Sequence, residues 1–200
     1  MSKKRLNTAF ITDKGEFGYF GGGIIKLVSS DEAEAIKTRL GPDMLTVKTS
    51  LDAFARAQTT DPPIGEALLS QELVSGIGNV YKSESMFIAK IHPLRWASAV
   101  SAREYERLFN WLQPQMVKDI KRPGKMITTT REAAKAVHWN FVYRRYHQNC
   151  LLCNTKIERI YQGAGKGRST YYCPHCQPNT SLVQDLRNNL HRSSQPNAKM

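Results

Sequence analysis

CLLC at residues 150–153 and CPHC at residues 173–176 hold the only four cysteines of the chain. Each Cys-x-x-Cys pair presents two thiolates to one tetrahedral centre, which is the arrangement of a structural zinc site. Between the pairs, residues 155–161 and 169–172 are rich in β-forming side chains and flank a glycine turn. The sequence therefore predicts one structural Zn2+ that holds a β-hairpin. Its predicted ligands are Cys150, Cys153, Cys173 and Cys176.

Two disulfides, or four inert thiols, are the alternative interpretation of these cysteines. The first residues, MSKKRLN, are followed by no apolar run long enough for a signal peptide. We therefore expect an intracellular protein, in the cytoplasm or nucleoid of a bacterium or in the nucleus or an organelle of a eukaryote. Disulfides are rare in such reducing compartments. No stretch approaches the ~18 consecutive apolar residues of a membrane span, so no membrane association is expected.

The chain is strongly basic, with a formal net charge of +12 over 200 residues. From Phe141 onward the only acidic residues are Glu158 and Asp185. Such a balance favours an anionic partner, of which nucleic acid is the most common. A merely solvated basic surface is the alternative. An RNA-binding zinc ribbon would also need only the finger and the charge, but it leaves the glycine turn of the central region unexplained.

The N-terminal region is predicted to be β structure followed by a helix. Strands are expected over residues 7–12, 17–20 and 24–28, with a hairpin turn between the first two. Two or three strands are too few for a sheet that is stable alone, which suggests the remnant or edge of a larger sheet. Ser29 and Glu32 form a capping-box pattern that opens a helix to about Leu40.

The middle of the chain is predicted to be helical. Helices are expected over residues 50–57, 64–74, 79–89 and 101–121. Gly76 and Gly78 lie in the turn before the third helix, where they permit left-handed dihedrals and a close approach of backbone to a ligand. The amides that begin this helix attract an anion, Asn79 adds a side-chain donor, and Lys82 is near enough to reach a phosphate. An ordinary pair of helix caps is the alternative.

Arg168 at the end of the finger hairpin is the second predicted phosphate contact. A guanidinium can bind one phosphate through two hydrogen bonds and stays charged at any relevant pH. A solvated surface arginine is the alternative. We expect the glycine turn and the hairpin to converge on a single stretch of sugar-phosphate backbone.

These motifs resemble those of a known family. PIGEALLSQ at residues 63–71 and VSGIGNVYKSE at residues 74–84 are similar to the helix–two-turn–helix (H2TH) of the formamidopyrimidine-DNA glycosylase/endonuclease VIII family. GRSTYYCPHCQ at residues 167–177 is similar to the zinc finger of that family. The likeness covers about residues 7–178, and Pro63-Ile-Gly65 resembles the endonuclease VIII branch, as does Val142-Tyr-Arg-Arg145.

The resemblance implies an α+β fold in which a remnant of an N-terminal β-sandwich precedes a helical domain and a C-terminal zinc-finger hairpin. The implied regions are residues 1–40 for the β remnant and following helix, 41–140 for the H2TH DNA-binding domain and 141–178 for the zinc finger. The polar residues 179–200, which the resemblance leaves out, are expected to form a mobile tail.

The resemblance also implies base-excision repair by a DNA glycosylase with AP lyase (β/δ-elimination) activity on damaged or abasic double-stranded DNA. Asn79 would hold a phosphate next to the lesion. Arg168 would bind the lesion phosphates and assist the final elimination, which makes it the one catalytic residue that carries over. The four cysteines would bind the zinc.

The first residues depart from the family pattern. The family nucleophile is an N-terminal proline followed by a glutamate, whereas this chain begins Met1-Ser-Lys-Lys-Arg5. The amine of Ser2, or Lys3 or Lys4, is the only substitute, and nothing in the sequence positions it. We therefore expect the DNA-binding part of such an enzyme without its catalytic N-terminal domain, which a partner could supply. The alternative is a non-catalytic, zinc-dependent module that binds abasic or distorted duplex.

Overall fold

The computed structural model describes residues 6–20, 25–121, 128–129 and 139–179. Its elements, in chain order, are β1 (Leu6–Thr12), β2 (Gly15–Phe20), α1 (Ser30–Arg39), α2 (Ser50–Gln58), α3 (Ile64–Ala67), α4 (Asn79–Ala89), α5 (Ala102–Ile120), β3 (Glu158–Gln162) and β4 (Arg168–Tyr172). The chain divides into two units, residues 1–39 and 40–200. The mixture of helices and small sheets confirms the predicted α+β class, while the predicted mobile tail lies, from residue 180 onward, outside the described residues.

The first unit contains the hairpin of β1 and β2 and the helix α1. The strands pair antiparallel, with Phe10 opposite Phe17. The capping box forms as predicted, because the Ser29 amide donates to the Glu32 carboxylate over 2.8 Å and the Glu32 amide donates back to the Ser29 hydroxyl over 3.2 Å. The third predicted strand is wrong for its described residues 25–28, which are not in a strand. Leu27 is fully exposed there, so its apolar side chain supplies no packing that would hold an added strand.

The second unit is built around an apolar core between α2, α4 and α5. Phe54 of α2 stacks on Tyr105 of α5 with ring centroids 4.8 Å apart, and both rings are buried. Ser101 and Glu104 close a capping box at the start of α5. Arg95 adds an ion pair to Glu104 over 2.6 Å. Burial alone would raise the pKa of Glu104, but the hydrogen bonds from Arg95 and Ser101 hold that pKa at about 2.

The predicted helix over residues 64–74 is wrong in length, since α3 ends at Ala67 and two turns follow it. The side chain of Gln71 explains the break. Its amide oxygen accepts a hydrogen bond from the Gly76 amide over 2.9 Å, and its nitrogen donates to the Ile77 carbonyl over 3.3 Å. These bonds to the backbone of the next turn compete with a continuous helix.

The finger hairpin packs against α4 through a second small core. Its buried members are Phe87, Val142, Cys150, Ile157, Tyr171 and Cys173. The buried carboxylate of Glu84 in α4 accepts hydrogen bonds of 2.8 Å from three successive backbone amides, 141–143, at the entrance to the finger. Burial raises the pKa of Glu84, and these bonds oppose the rise. The finger is therefore fastened to the helix that begins at the glycine turn.

Candidate nucleic-acid interface

The four cysteines form one cluster, as the two Cys-x-x-Cys pairs predict. All four sulfur atoms lie within 4.8 Å of one another. Cys153 Sγ lies 3.4 Å from Cys173 Sγ, and Cys150 Sγ lies 3.9 Å from Cys176 Sγ. These distances exceed the ~2.05 Å of a disulfide. They lie near the ~3.8 Å that separates sulfurs about 2.3 Å from one tetrahedral metal ion.

The chemistry of the cluster also fits a metal ion. A hydrogen bond from the side chain of Thr155 lowers the pKa of Cys153 to about 6, whereas burial raises the pKa of Cys173 to about 11 and that of Cys176 further. Four neighbouring thiolates are therefore unfavourable without a cation among them. A divalent ion bound to the sulfurs would stabilise all four in the deprotonated form.

The glycine turn before α4 differs from its prediction at one position. Gly76 has a φ of +93°, the left-handed region that the sequence predicts. Gly78 has a φ of −102°, which any residue adopts, so the predicted left-handed dihedral is wrong there. A Cβ built on Gly78 meets no atom within 4 Å. Neither its dihedral angles nor a steric contact within the described residues requires a glycine at this position, and the space in front of it is open.

Asn79 is the first residue of α4, and its side chain reaches the finger. Its Nδ2 donates to the hydroxyl of Ser169 on β4 over 3.3 Å. Its Oδ1 is buried and has no hydrogen-bond partner among the residues described. Exchanging the two amide atoms would let Oδ1 accept from the Ser169 hydroxyl. The first amides of α4 lack intrahelical partners, so further donors lie at the same helix terminus.

Arg168 lies one residue from that contact, at the end of the finger hairpin. It is exposed and pairs across the ladder with Gln162. A cavity of about 860 Å³ separates the hairpin turn from α3 and the glycine turn, and its lining includes Gly78, Asn79 and Arg168. The structure therefore brings the two predicted phosphate contacts to one cavity.

Lys82 occupies a different position from the one expected. Its side chain has no exposed surface, and its ammonium donates to the Ser169 carbonyl over 3.2 Å. Burial, and then the nearby Arg168, lower the pKa of Lys82 to about 8, while Glu66 acts in the opposite direction. The expected phosphate contact of Lys82 is not formed by this arrangement, because strand β4 covers the ammonium.

Sequence reasoning missed the contact that seats the hairpin on the helical body. Gln162 is buried, accepts a hydrogen bond from the Thr170 hydroxyl over 2.7 Å and donates to the Pro93 carbonyl over 3.0 Å. Its amide lies so close to Gly65 that a Cβ there would be 2.1 Å from the Gln162 Oε1. The only signal in the sequence is a glutamine at the end of a β-strand, which indicates no partner.

The chain matches known proteins along this interface. Residues 40–131 match the family model described as the formamidopyrimidine-DNA glycosylase H2TH domain. The formamidopyrimidine-DNA glycosylase of Listeria innocua is 36% identical over an alignment of 151 positions that covers 73% of this chain and 54% of that protein. The chain belongs to the formamidopyrimidine-DNA glycosylase family. It spans about half the length of the curated relatives that it matches.

Solved structures of this family share the fold. The Lactococcus lactis Fpg in complex with DNA containing an abasic site matches 76% of this chain and 57% of that chain, with a TM-score of 0.61 and 25% identity. MutM in complex with DNA containing carbocyclic 8-oxo-G matches the same shares of both chains with a TM-score of 0.61 and 26% identity. These relatives carry the formamidopyrimidine name, so the finer assignment to the endonuclease VIII branch stays a prediction.

Among the helices of the described ranges, none has the length and apolar character that crossing a membrane requires.

Proposed function

We propose that this chain binds the sugar-phosphate backbone of double-stranded DNA at a damaged or abasic site. In this proposal it acts in base-excision repair as the H2TH and zinc-finger part of a DNA glycosylase/AP lyase. The observation that carries the proposal is the shared cavity of Asn79 and Arg168, which come from two motifs far apart in the sequence. The net charge of +12 adds a general attraction to DNA.

The cavity lining offers two kinds of phosphate donor. Asn79 and the first amides of α4 provide neutral donors at the positive end of a helix, with open space at Gly78 for the DNA backbone. Arg168 provides a charged donor. A phosphate that binds both groups would receive hydrogen bonds from each, and the cation would neutralise it.

Arg168 is also the residue that we propose assists strand cleavage. Elimination at an abasic site transfers a proton from C2′ to a base, forms a C2′=C3′ double bond and breaks the bond from C3′ to the phosphate oxygen, so negative charge develops on the departing phosphate. A guanidinium already bound to that phosphate stabilises the charge as it forms. Among the residues described, we assign no other catalytic role.

We further propose that Cys150, Cys153, Cys173 and Cys176 bind one structural Zn2+. The sulfur spacing supports this assignment. The ion would supply no chemistry to the DNA and would fix the hairpin that carries Arg168. Residues 41–140 and 141–178 remain our proposed limits of the helical DNA-binding region and the finger.

The direct test is DNA binding measured by fluorescence anisotropy on a duplex with a tetrahydrofuran abasic analogue and on an intact duplex. Asn79→Ala and Arg168→Ala should each weaken binding by on the order of 1–3 kcal/mol, about 5- to 150-fold in Kd. Arg103→Ala is the matched control, because Arg103 is an exposed arginine on α5, away from the cavity lining. Unchanged affinity in both site variants would refute the proposal.

A second assay separates cleavage from binding alone. Borohydride reduction of a complex with an abasic duplex traps a Schiff base between an amine of the protein and C1′ of the sugar. Trapping, together with strand cleavage that Arg168→Ala slows, would show that this chain itself supplies the nucleophile. Tight binding without trapping would restrict its role to recognising the abasic duplex.

A further inference from the structure

A stack of two tyrosines and one arginine lies on the finger, apart from the residues that line the cavity. The guanidinium carbon of Arg159 is 4.5 Å from the ring centroid of Tyr146 and 5.2 Å from that of Tyr161. Both distances are within the range of a cation–π contact. The rings are 43% and 61% exposed, so the stack is at the surface and is not part of a core.

The strand pattern and a loop contact build this stack. Arg159 and Tyr161 are two residues apart on β3 and so share one face of the hairpin. The His147 amide donates to the Ile157 carbonyl over 2.9 Å, which brings the neighbouring Tyr146 alongside the same strand.

The charge of Arg159 is oriented but not neutralised. Within the described parts of the chain, no carboxylate forms an ion pair with it. The adjacent Glu158 is on the other face of β3, where its carboxylate accepts a hydrogen bond from the Tyr172 hydroxyl over 2.6 Å. With both rings within cation–π distance and no carboxylate paired to it in the described residues, the N–H groups of the guanidinium are available to a further acceptor.

The stack continues from the surface that holds Asn79. Tyr161 is the cross-strand partner of Ser169, so the two side chains share a face of the hairpin. The Ser169 hydroxyl is the group that Asn79 contacts. Arg159 follows two residues, or about 7 Å, further along β3. An anionic polymer that contacts Asn79 beside Ser169 therefore has the cation of Arg159 on the same face of the hairpin.

We propose that Arg159, in contact with Tyr146 and Tyr161, binds a further phosphate of the same DNA, beyond the one bound by Asn79 and Arg168. This inference rests on the proposed function. The rings restrict the rotamers of a long exposed side chain, so less conformational entropy is lost when the guanidinium binds a phosphate. A nucleic acid suits the site better than an acidic peptide because Arg159 is on the same hairpin face as Ser169, which Asn79 contacts.

The salt dependence of DNA binding counts the phosphates that are neutralised. The slope of log K against log [salt] is negative, and loss of one phosphate contact reduces its magnitude by about 0.9. Arg159→Ala should show this change and weaken binding by on the order of five- to tenfold at low salt. Arg103→Ala removes the same charge from α5 and should leave the slope unchanged. An equal change in both variants would show a net-charge effect and overturn the proposal.

Variants of the rings test whether the stack itself matters. Tyr161→Phe keeps the ring and should bind DNA like the parent chain. Tyr161→Ala should weaken DNA binding by about half as much, in free energy, as Arg159→Ala does. Arg159→Lys keeps the charge without the planar group and should recover the salt slope but not the full affinity. Equal affinity for Tyr161→Ala and the parent chain would overturn the role of the stack.

Failure of this inference is distinguishable from failure of the proposed function. If Asn79→Ala and Arg168→Ala weaken binding but Arg159→Ala does not, the further phosphate site is absent and the cavity stands. If an acidic peptide competes with DNA in the parent chain and in Asn79→Ala but not in Arg159→Ala, the stack binds peptides and the DNA assignment is overturned. If none of these arginine and asparagine variants affects DNA binding, the proposed function fails first.

Discussion

The contact between Gly65 and Gln162 gives the sharpest test of how the finger is held in place. In Gly65→Ala the new Cβ would lie 2.1 Å from the Gln162 Oε1 and 2.8 Å from its Cδ. The helical backbone of Gly65 accepts alanine, so the steric conflict falls on the glutamine. Gln162 must turn away, and its cross-strand partner Arg168 moves with it.

The cost follows from the bonds that Gln162 makes. Its displacement breaks the hydrogen bonds to the Pro93 carbonyl and from the Thr170 hydroxyl, which are together worth about 1–3 kcal/mol. When alanine replaces Gln162, the conflict disappears and alanine in a helix is favoured over glycine by about 0.5–1 kcal/mol. Gly65→Ala should thus destabilise the parent chain and slightly stabilise the Gln162→Ala chain.

The assay is a double-mutant cycle on Gly65 and Gln162 that reads both urea unfolding and affinity for abasic duplex. We expect a coupling energy on the order of 2 kcal/mol in the unfolding free energy. DNA affinity should fall in Gly65→Ala because Arg168 is displaced, although neither exchanged residue carries charge. Additive effects in the cycle, or a destabilised variant with parental DNA affinity, would refute the reasoning.

Two further predictions concern the finger and the buried lysine. Removal of metal by a chelator, or Cys173→Ser, should make residues 141–178 sensitive to protease, because so short a segment has no adequate core without the ion. Far-UV circular dichroism should still report the helices. Unchanged protection from protease would contradict a structural metal. The pKa of Lys82 is about 8 in the folded chain and about 10.4 in the unfolded chain. Between these pH values the unfolded state binds more protons than the folded state. The contribution of Lys82 to stability therefore rises with pH across that window. Lys82→Met should abolish this rise in thermal unfolding scans from pH 7.5 to 10, and a persisting rise would assign it to another group.

Local sequence patterns predicted the features that depend on neighbouring residues. The Cys-x-x-Cys spacing located the sulfur cluster, the capping boxes located the starts of α1 and α5, and the glycine turn located Gly76 in a left-handed conformation. In each case the deciding contacts lie within a few residues of one another or, for the cysteines, in two short pairs.

Contacts between distant segments were beyond local patterns. Lys82 looked like a surface cation on the first turn of a helix, but β4 packs over it and takes its hydrogen bond. The helix predicted through residue 74 ends early because Gln71 binds the backbone of the next turn. The contact between Gln162 and Gly65 joins two segments nearly a hundred residues apart. Neither residue type indicates in the sequence that the other is its partner.

The most direct measurement of the central claim replaces single phosphates of an abasic duplex with uncharged methylphosphonates and measures binding to the parent chain, Asn79→Ala and Arg168→Ala. Replacing a phosphate that a side chain binds should weaken binding to the parent chain but cause no further loss in the variant that lacks this side chain. If both side chains bind one stretch of backbone, the phosphates identified in this way for Asn79→Ala and for Arg168→Ala are the same or adjacent. Phosphates that lie several nucleotides apart for the two variants would contradict a shared phosphate site between the H2TH and the finger.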